Sequence, residues 1–108
     1  MASAAGSTVR GFVINRFTYS GIDAQAAATL QGNWIGVTAS GSAASPNNSH
    51  GILLSGSNSG STVGGTTATQ RNVLAGNAAA GLWINSGTSN HVVQGNYIGL
   101  GPDGSTRI

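Results

Sequence analysis

Asp23, Asp103, His50 and His91 are the only carboxylates and imidazoles in this chain of 108 residues, which contains no Cys, Glu or Lys. Glycoside cleavage by paired carboxylates needs two acids flanking the bond, roughly 5 to 9.5 Å apart. The two here are about 80 positions apart, and Asp103 lies in GPDG, a strong turn sequence that reads as structural. Two acids cannot build the oxygen-rich cluster that holds a calcium ion. The two His could serve as a base or begin a metal site. Without a third ligand they make no zinc site, and each reads as a polar residue at the start of a strand. Ser is abundant, but no nucleophile-elbow sequence accompanies it. The chain is therefore expected to be non-catalytic as it stands, with no metal and no cofactor.

The elements that would position these groups come from a repeat. SGIDAQ, HGILLS and AGLWIN place Gly21, Gly51 and Gly81 at steps of 30. Ile22, Ile52 and Leu82 follow the same step, as do Ala24, Leu54 and Ile84. Alternating apolar positions mark strands with one buried face. The residues between them, Asp23, Leu53 and Trp83, then form an outward column. An exposed Trp beside an exposed Leu suggests a face that meets something. A sugar ring, another protein or a covering loop would each suit it. Trp83, Leu53 and Asp23 are the candidate ligand-binding residues.

A longer repeat overlies the first. TLQGNWIGVTASGS from Thr29 returns as VVQGNYIGLGPDGS from Val92, 63 positions later. Two periods of 30 and a short loop insertion account for that offset. The insertion is placed in SGSAASPNNS or near SGSNSG. Trp34 and Tyr97 match, and their repetition argues for a structural role, either stacking on one another or closing a corner. Asn33, Asn47, Asn77 and Asn96 follow strand ends. Stacked in register, some would form an amide ladder, and Gly and Asn would take the left-handed angles of tight bends. Thr8, Thr29 and Thr62 recur, which raises ice binding, but His91 is read as breaking that line.

The segments NVLAGN, GLWI, VVQGNYIG and STVGGT resemble the repeats of right-handed parallel β-helix proteins of the pectate-lyase-like superfamily. The likeness is nearest to the Gly/Asn-rich repeats of large bacterial secreted and surface proteins. It spans Thr8 to Ser105. It implies an all-β solenoid of about three coils of ~30 residues with three short strands each. The first coil is expected to lack a clear first strand. The whole chain, 1–108, is expected to be one β-helix segment of a longer solenoid, with only the small-residue start as a weak cap. The resemblance implies a structural or adhesive role at the cell surface or outside the cell. Its alternatives are carbohydrate binding, or part of a polysaccharide lyase or glycosidase whose catalytic residues lie outside this chain.

Charge narrows the partners. Only 6% of residues are charged, for a net +2 from four scattered Arg. That is no basic stripe for nucleic acid. No apolar run approaches the roughly 18 residues of a membrane span, and MASAAGSTVR lacks the plan of a signal peptide. A polysaccharide or a protein surface remains as partner, with end-to-end self-association through uncapped ends.

Overall fold

The computed structural model describes residues 5–108; residues 1–4, part of the start read as a weak cap, lie outside the described residues. Eleven short strands follow in order: β1 (Ser7–Arg10), β2 (Val13–Ile14), β3 (Ile22–Ala24), β4 (Ala28–Gln31), β5 (Trp34–Ile35), β6 (Ile52–Leu54), β7 (Thr62–Gly64), β8 (Val73–Leu74), β9 (Leu82–Ile84), β10 (Val92–Gln94) and β11 (Tyr97–Ile98). One 3₁₀ turn, Ala68–Gln70, precedes β8. Among the described residues no helix is long and apolar enough to cross a membrane.

All strand pairings are parallel, and each strand pairs with the third one after it. Three sheets result: β1-β4-β7-β10 (sheet 1), β2-β5-β8-β11 (sheet 2) and β3-β6-β9 (sheet 3). Three consecutive strands thus make one unit. The first unit does have its own first strand, contrary to expectation. β1 pairs with β4 over four positions, from Ser7 with Ala28 to Arg10 with Gln31.

Strands this short cannot persist alone, so burial between units must hold them. Ile22, Ala24, Ala28, Leu30, Ile35, Ile52, Leu54, Val63 and Leu74 form one core shared by the three sheets. The expected ranks Ile22–Ile52–Leu82 and Ala24–Leu54–Ile84 are in register.

The step of 30 is not intrinsic to the unit. Val9 to Leu30 and Ile14 to Ile35 are 21 positions apart, the shortest closed unit. Three insertions lengthen later ones. The first is a hairpin closed by Val37 and Ala44, which overlaps the SGSAASPNNS tract over residues 40–44. The second is the SGSNSG turn, the alternative place for the one insertion expected, so both places carry one. The third, GTTATQ with its 3₁₀ turn, was not foreseen. The hairpin recurs after β11, closed by Leu100 and Arg107. Its hydrogen bonds repeat at an offset of 63: Gly41 N–H to Thr38 C=O becomes Gly104 to Gly101, and Ser45 N–H to Gly36 C=O becomes Ile108 to Gly99.

Amide ladders tie the units at two corners. At corner one, before the sheet 2 strands, Asn72 Oδ1 accepts from Asn33 N–H (3.0 Å) and Asn33 Nδ2 (3.2 Å). Asn96 Oδ1 accepts in the same way from Asn72 N–H (3.1 Å) and Nδ2 (3.0 Å). At corner two, before the sheet 3 strands, Asn77 Oδ1 accepts from Asn47 N–H (3.4 Å) and Nδ2 (2.9 Å). Each Asn also gives its Nδ2 to a carbonyl of the unit before: Val9, Leu30 and Val63 at corner one, Ile14 and Ile35 at corner two. The ladder is thus real but split in two, with Asn72 as an unforeseen rung. Its Asn residues do not occupy left-handed angles. Among the described non-Gly residues only Arg16 and Asn90 have positive φ. The amides, not the backbone angles, explain these Asn.

Candidate functional site

Sheet 3 places Asp23, Leu53 and Trp83 side by side, as the repeat required. Their surroundings differ from expectation in one respect. Trp83 is 48% exposed, whereas Leu53 is only 8% exposed and belongs to the buried set. Leu53 lies on the middle strand, flanked in register by Asp23 and Trp83, whereas Trp83 lies on an edge strand. Its indole stacks on the His50 imidazole at 5.0 Å between centroids, with 30° between planes. His50 lies in the unit of Leu53, so the stack ties the Trp83 ring to the unit before its own. Asp23, one strand further, accepts from Ser55 Oγ (2.6 Å) and from Gln25 Nε2 (3.3 Å). Both carboxylate oxygens are engaged by neutral donors of the same face.

This patch offers one indole face to solvent, an imidazole behind it and a hydrogen-bonded carboxylate beyond Leu53. Such a surface can stack a planar or apolar partner and accept from a hydroxyl. It holds no second carboxylate. The pairing of His50 with Trp83 was not foreseen, although the signal was present. At steps of 30, His50 matches Ala80, which places it one unit before a residue three positions from Trp83.

The two His are not brought together. Each is consumed at a different corner by a backbone amide: Ala80 N–H donates to His50 Nδ1 (3.1 Å), and Ser61 N–H donates to His91 Nδ1 (3.2 Å). With Nδ1 accepting, the proton of the neutral ring sits on Nε2. Neither Nδ1 is available as a base or a ligand. Among the described residues no group of three or more His, Asp, Glu or Cys could hold a metal ion.

Asp103 is the turn residue its sequence indicated. Its Oδ1 accepts from the N–H groups of Ser105 and Thr106 (both 2.9 Å), and its Oδ2 from the Thr106 hydroxyl. The Thr106 hydroxyl bond, then the two backbone bonds, hold this carboxyl well below the usual carboxylate range. A depressed folded value gives stability that is present above the unfolded value, about 3.9, and lost as pH falls through the folded one. The Ser105 and Thr106 amide NMR shifts should therefore stay constant from pH 7 to about 4 and move only in stronger acid. A midpoint at the ordinary Asp value would contradict these bonds.

Trp34 and Tyr97 close corners and do not stack, because Val73 stands between them in register. They pack with Val37, Val73, Ala75 and Ile108 in a second apolar cluster outside sheet 2. Each also lies against the Gly of its own hairpin. A Cβ on Gly41 would come within 3.0 Å of the Trp34 ring, and one on Gly104 within 2.9 Å of the Tyr97 ring. The same aromatic–Gly contact thus occurs in both 14-residue copies. The Arg71 guanidinium sits 4.2 Å above the Tyr97 ring, a cation–π contact that a sequence step of 26 conceals.

Thr8, Thr29 and Thr62 do align outward on sheet 1. The fourth place in their rank belongs to Val92, not to His91. The chain matches no family model, no curated protein and no solved structure.

Proposed function

We propose that the chain is a segment of a right-handed parallel β-helix acting as a rigid structural or adhesive module outside the cell or at its surface. The observation that carries this reading is the use of its polar side chains. The buried Asn33, Asn47, Asn58 and Asn72 all bond between units, and both imidazoles are engaged in the same way. Trp83 stays outward, as do Phe12, Phe17 and Tyr19 of the first unit. A module so organised supplies shape and a contact surface rather than a reaction. The nearly uncharged exterior suits a neutral partner.

The exposed indole favours one specific form of adhesion, recognition of a neutral polysaccharide. A sugar ring presents an apolar face of C–H groups that an indole can cover, and Asp23 lies two strands away on the same face of sheet 3. Affinity electrophoresis through gels containing neutral polysaccharides tests this. Retardation of the wild type and its loss in Trp83→Ala, with circular dichroism unchanged, is the expected result. Equal retardation of the variant would remove the Trp83 face from the account. Release of soluble product from pectin or alginate by this chain alone would overturn the non-catalytic reading.

A further inference from the structure

The two edges of the three sheets are unlike. On the β1-β2-β3 side, Ile22 and Ala24 are buried, and Val9 and Ile14 pack against the core. On the β9-β10-β11 side, the core ranks end in exposed residues: Ile84 at 48%, Val93 at 39% and Ile98 at 53%, where Leu54, Val63 and Leu74 in the unit before are at most 1% exposed.

The ladders are unlike at the two edges in the same sense. Phe12 N–H donates to Asn33 Oδ1 and Phe17 N–H to Asn47 Oδ1, both at 3.1 Å. Phe12 precedes Ile14 by two positions, as Asn33 precedes Ile35. Phe17 precedes Ile22 by five, as Asn47 precedes Ile52. The first unit therefore carries Phe at both ladder corners. Both Phe side chains are exposed and cannot accept a hydrogen bond. At the other edge Asn96 and Asn77 are the last rungs, with no Asn beyond them.

A cavity marks the missing rung. A Cβ on Gly21 would lie 3.0 Å from Asn47 Nδ2 of the next unit, and one on Gly51 2.9 Å from Asn77 Nδ2. Gly81, next in that rank, faces no amide. It lines a cavity of about 310 Å³ with Leu74, Asn77, Ile98 and Ile108. The vacant place has the surroundings that hold an Asn amide in the two earlier units.

We infer that the β9-β10-β11 edge receives a further three-strand unit of this repeat type with Asn at both corners, and that a second copy of this chain does not fit it. A second copy would offer Phe17 to the Gly81 cavity and Phe12 to Asn96. It would leave the Asn96 N–H and amide without their acceptor. Self-stacking, expected from open edges alone, is thus opposed by the leading unit. The inference rests on the β-helix reading above.

The test extends the full chain after Ile108 with a copy of residues 76–98. By the hairpin offset, Ile108 corresponds to Ser45, so the added Asn77 copy falls at the place of Asn47 in its own unit. The expected result is at least tenfold slower hydrogen exchange at the Asn96 amide and a higher denaturation midpoint. The same extension with Phe at both corner positions should give neither. The unextended chain should remain monomeric by light scattering across concentrations. Equal gains from the Phe extension, no gain from the Asn extension, or head-to-tail oligomers of the unextended chain would each overturn the inference. An Asn72→Ala variant of normal stability would instead sink the β-helix ladder reading itself, so the two failures are distinguishable.

Discussion

Replacing Asn72 with alanine should destabilise the chain by about 3–5 kcal/mol, a large fraction of the roughly 5–15 kcal/mol that keeps a domain folded. Asn72 is fully buried, and its amide makes four bonds. Truncation leaves Asn33 N–H and Leu30 C=O buried without partners, and it breaks the amide pairs to Asn33 and Asn96. A buried polar group stripped of its partner costs about 1–3 kcal/mol. Apolar burial cannot offset this, since alanine is smaller and leaves a void. Asn85→Ala is the control. Its side chain is exposed and accepts only from the neighbouring Ser86 N–H, so the change should stay within about 0.5 kcal/mol. Urea denaturation of the three proteins measures both values. Near-equal midpoints for the two variants would show that the ladder contributes nothing.

Gly36→Ala and Gly99→Ala should differ severalfold, although the two glycines occupy the same place in the 63-residue repeat. Both have left-handed φ, +94° and +80°. A side chain in that region costs about 1–2 kcal/mol wherever it occurs. At Gly99 a Cβ would meet nothing within 4 Å, so the loss should end there. At Gly36 it would fall 2.2 Å from the carbonyl oxygen of Ala75 and 2.5 Å from the Asn77 amide. Backbone and a ladder rung would have to move together. The total should reach about 3–5 kcal/mol, with forced repacking supplying the excess. Thermal melts of both variants check this, and an equal drop would mean that the units are not as close as the register places them.

The all-β class, the parallel stacking of strands and the ranks of Ile22 and Ala24 were legible because alternation within strands survives any loop length. Other features were hidden by unequal loops. The regular step of 30 along sheet 3 comes from different insertions of equal total length: the hairpin before β6, then the SGSNSG and GTTATQ loops before β9. The first unit, at 21, breaks the period, which is why β1 went unrecognised. Asn72 stands 39 positions after Asn33 and follows Arg, not Gly, so the QGN pattern passes over it. The Asn–apolar–apolar run shared by Asn33, Asn72 and Asn96 would have revealed it. Of the site, the column Asp23–Leu53–Trp83 was legible from period alone. The burial of Leu53 was not, because period alone does not show how closely the residues on the two flanking strands pack around it.

The ladder rungs are separated by 39 and 24 positions at corner one and by 30 at corner two, yet the side-chain amide bonds between them measure 3.2, 3.0 and 2.9 Å. The length of chain between rungs is therefore free to vary. A lineage can lengthen or replace the exposed chain at residues 42–44 or 66–69 while the buried Val37 and Asn58 keep the geometry of the stack. Recognition can then diverge quickly on a framework that stays the same, as in any scaffold whose specificity is carried by grafted loops.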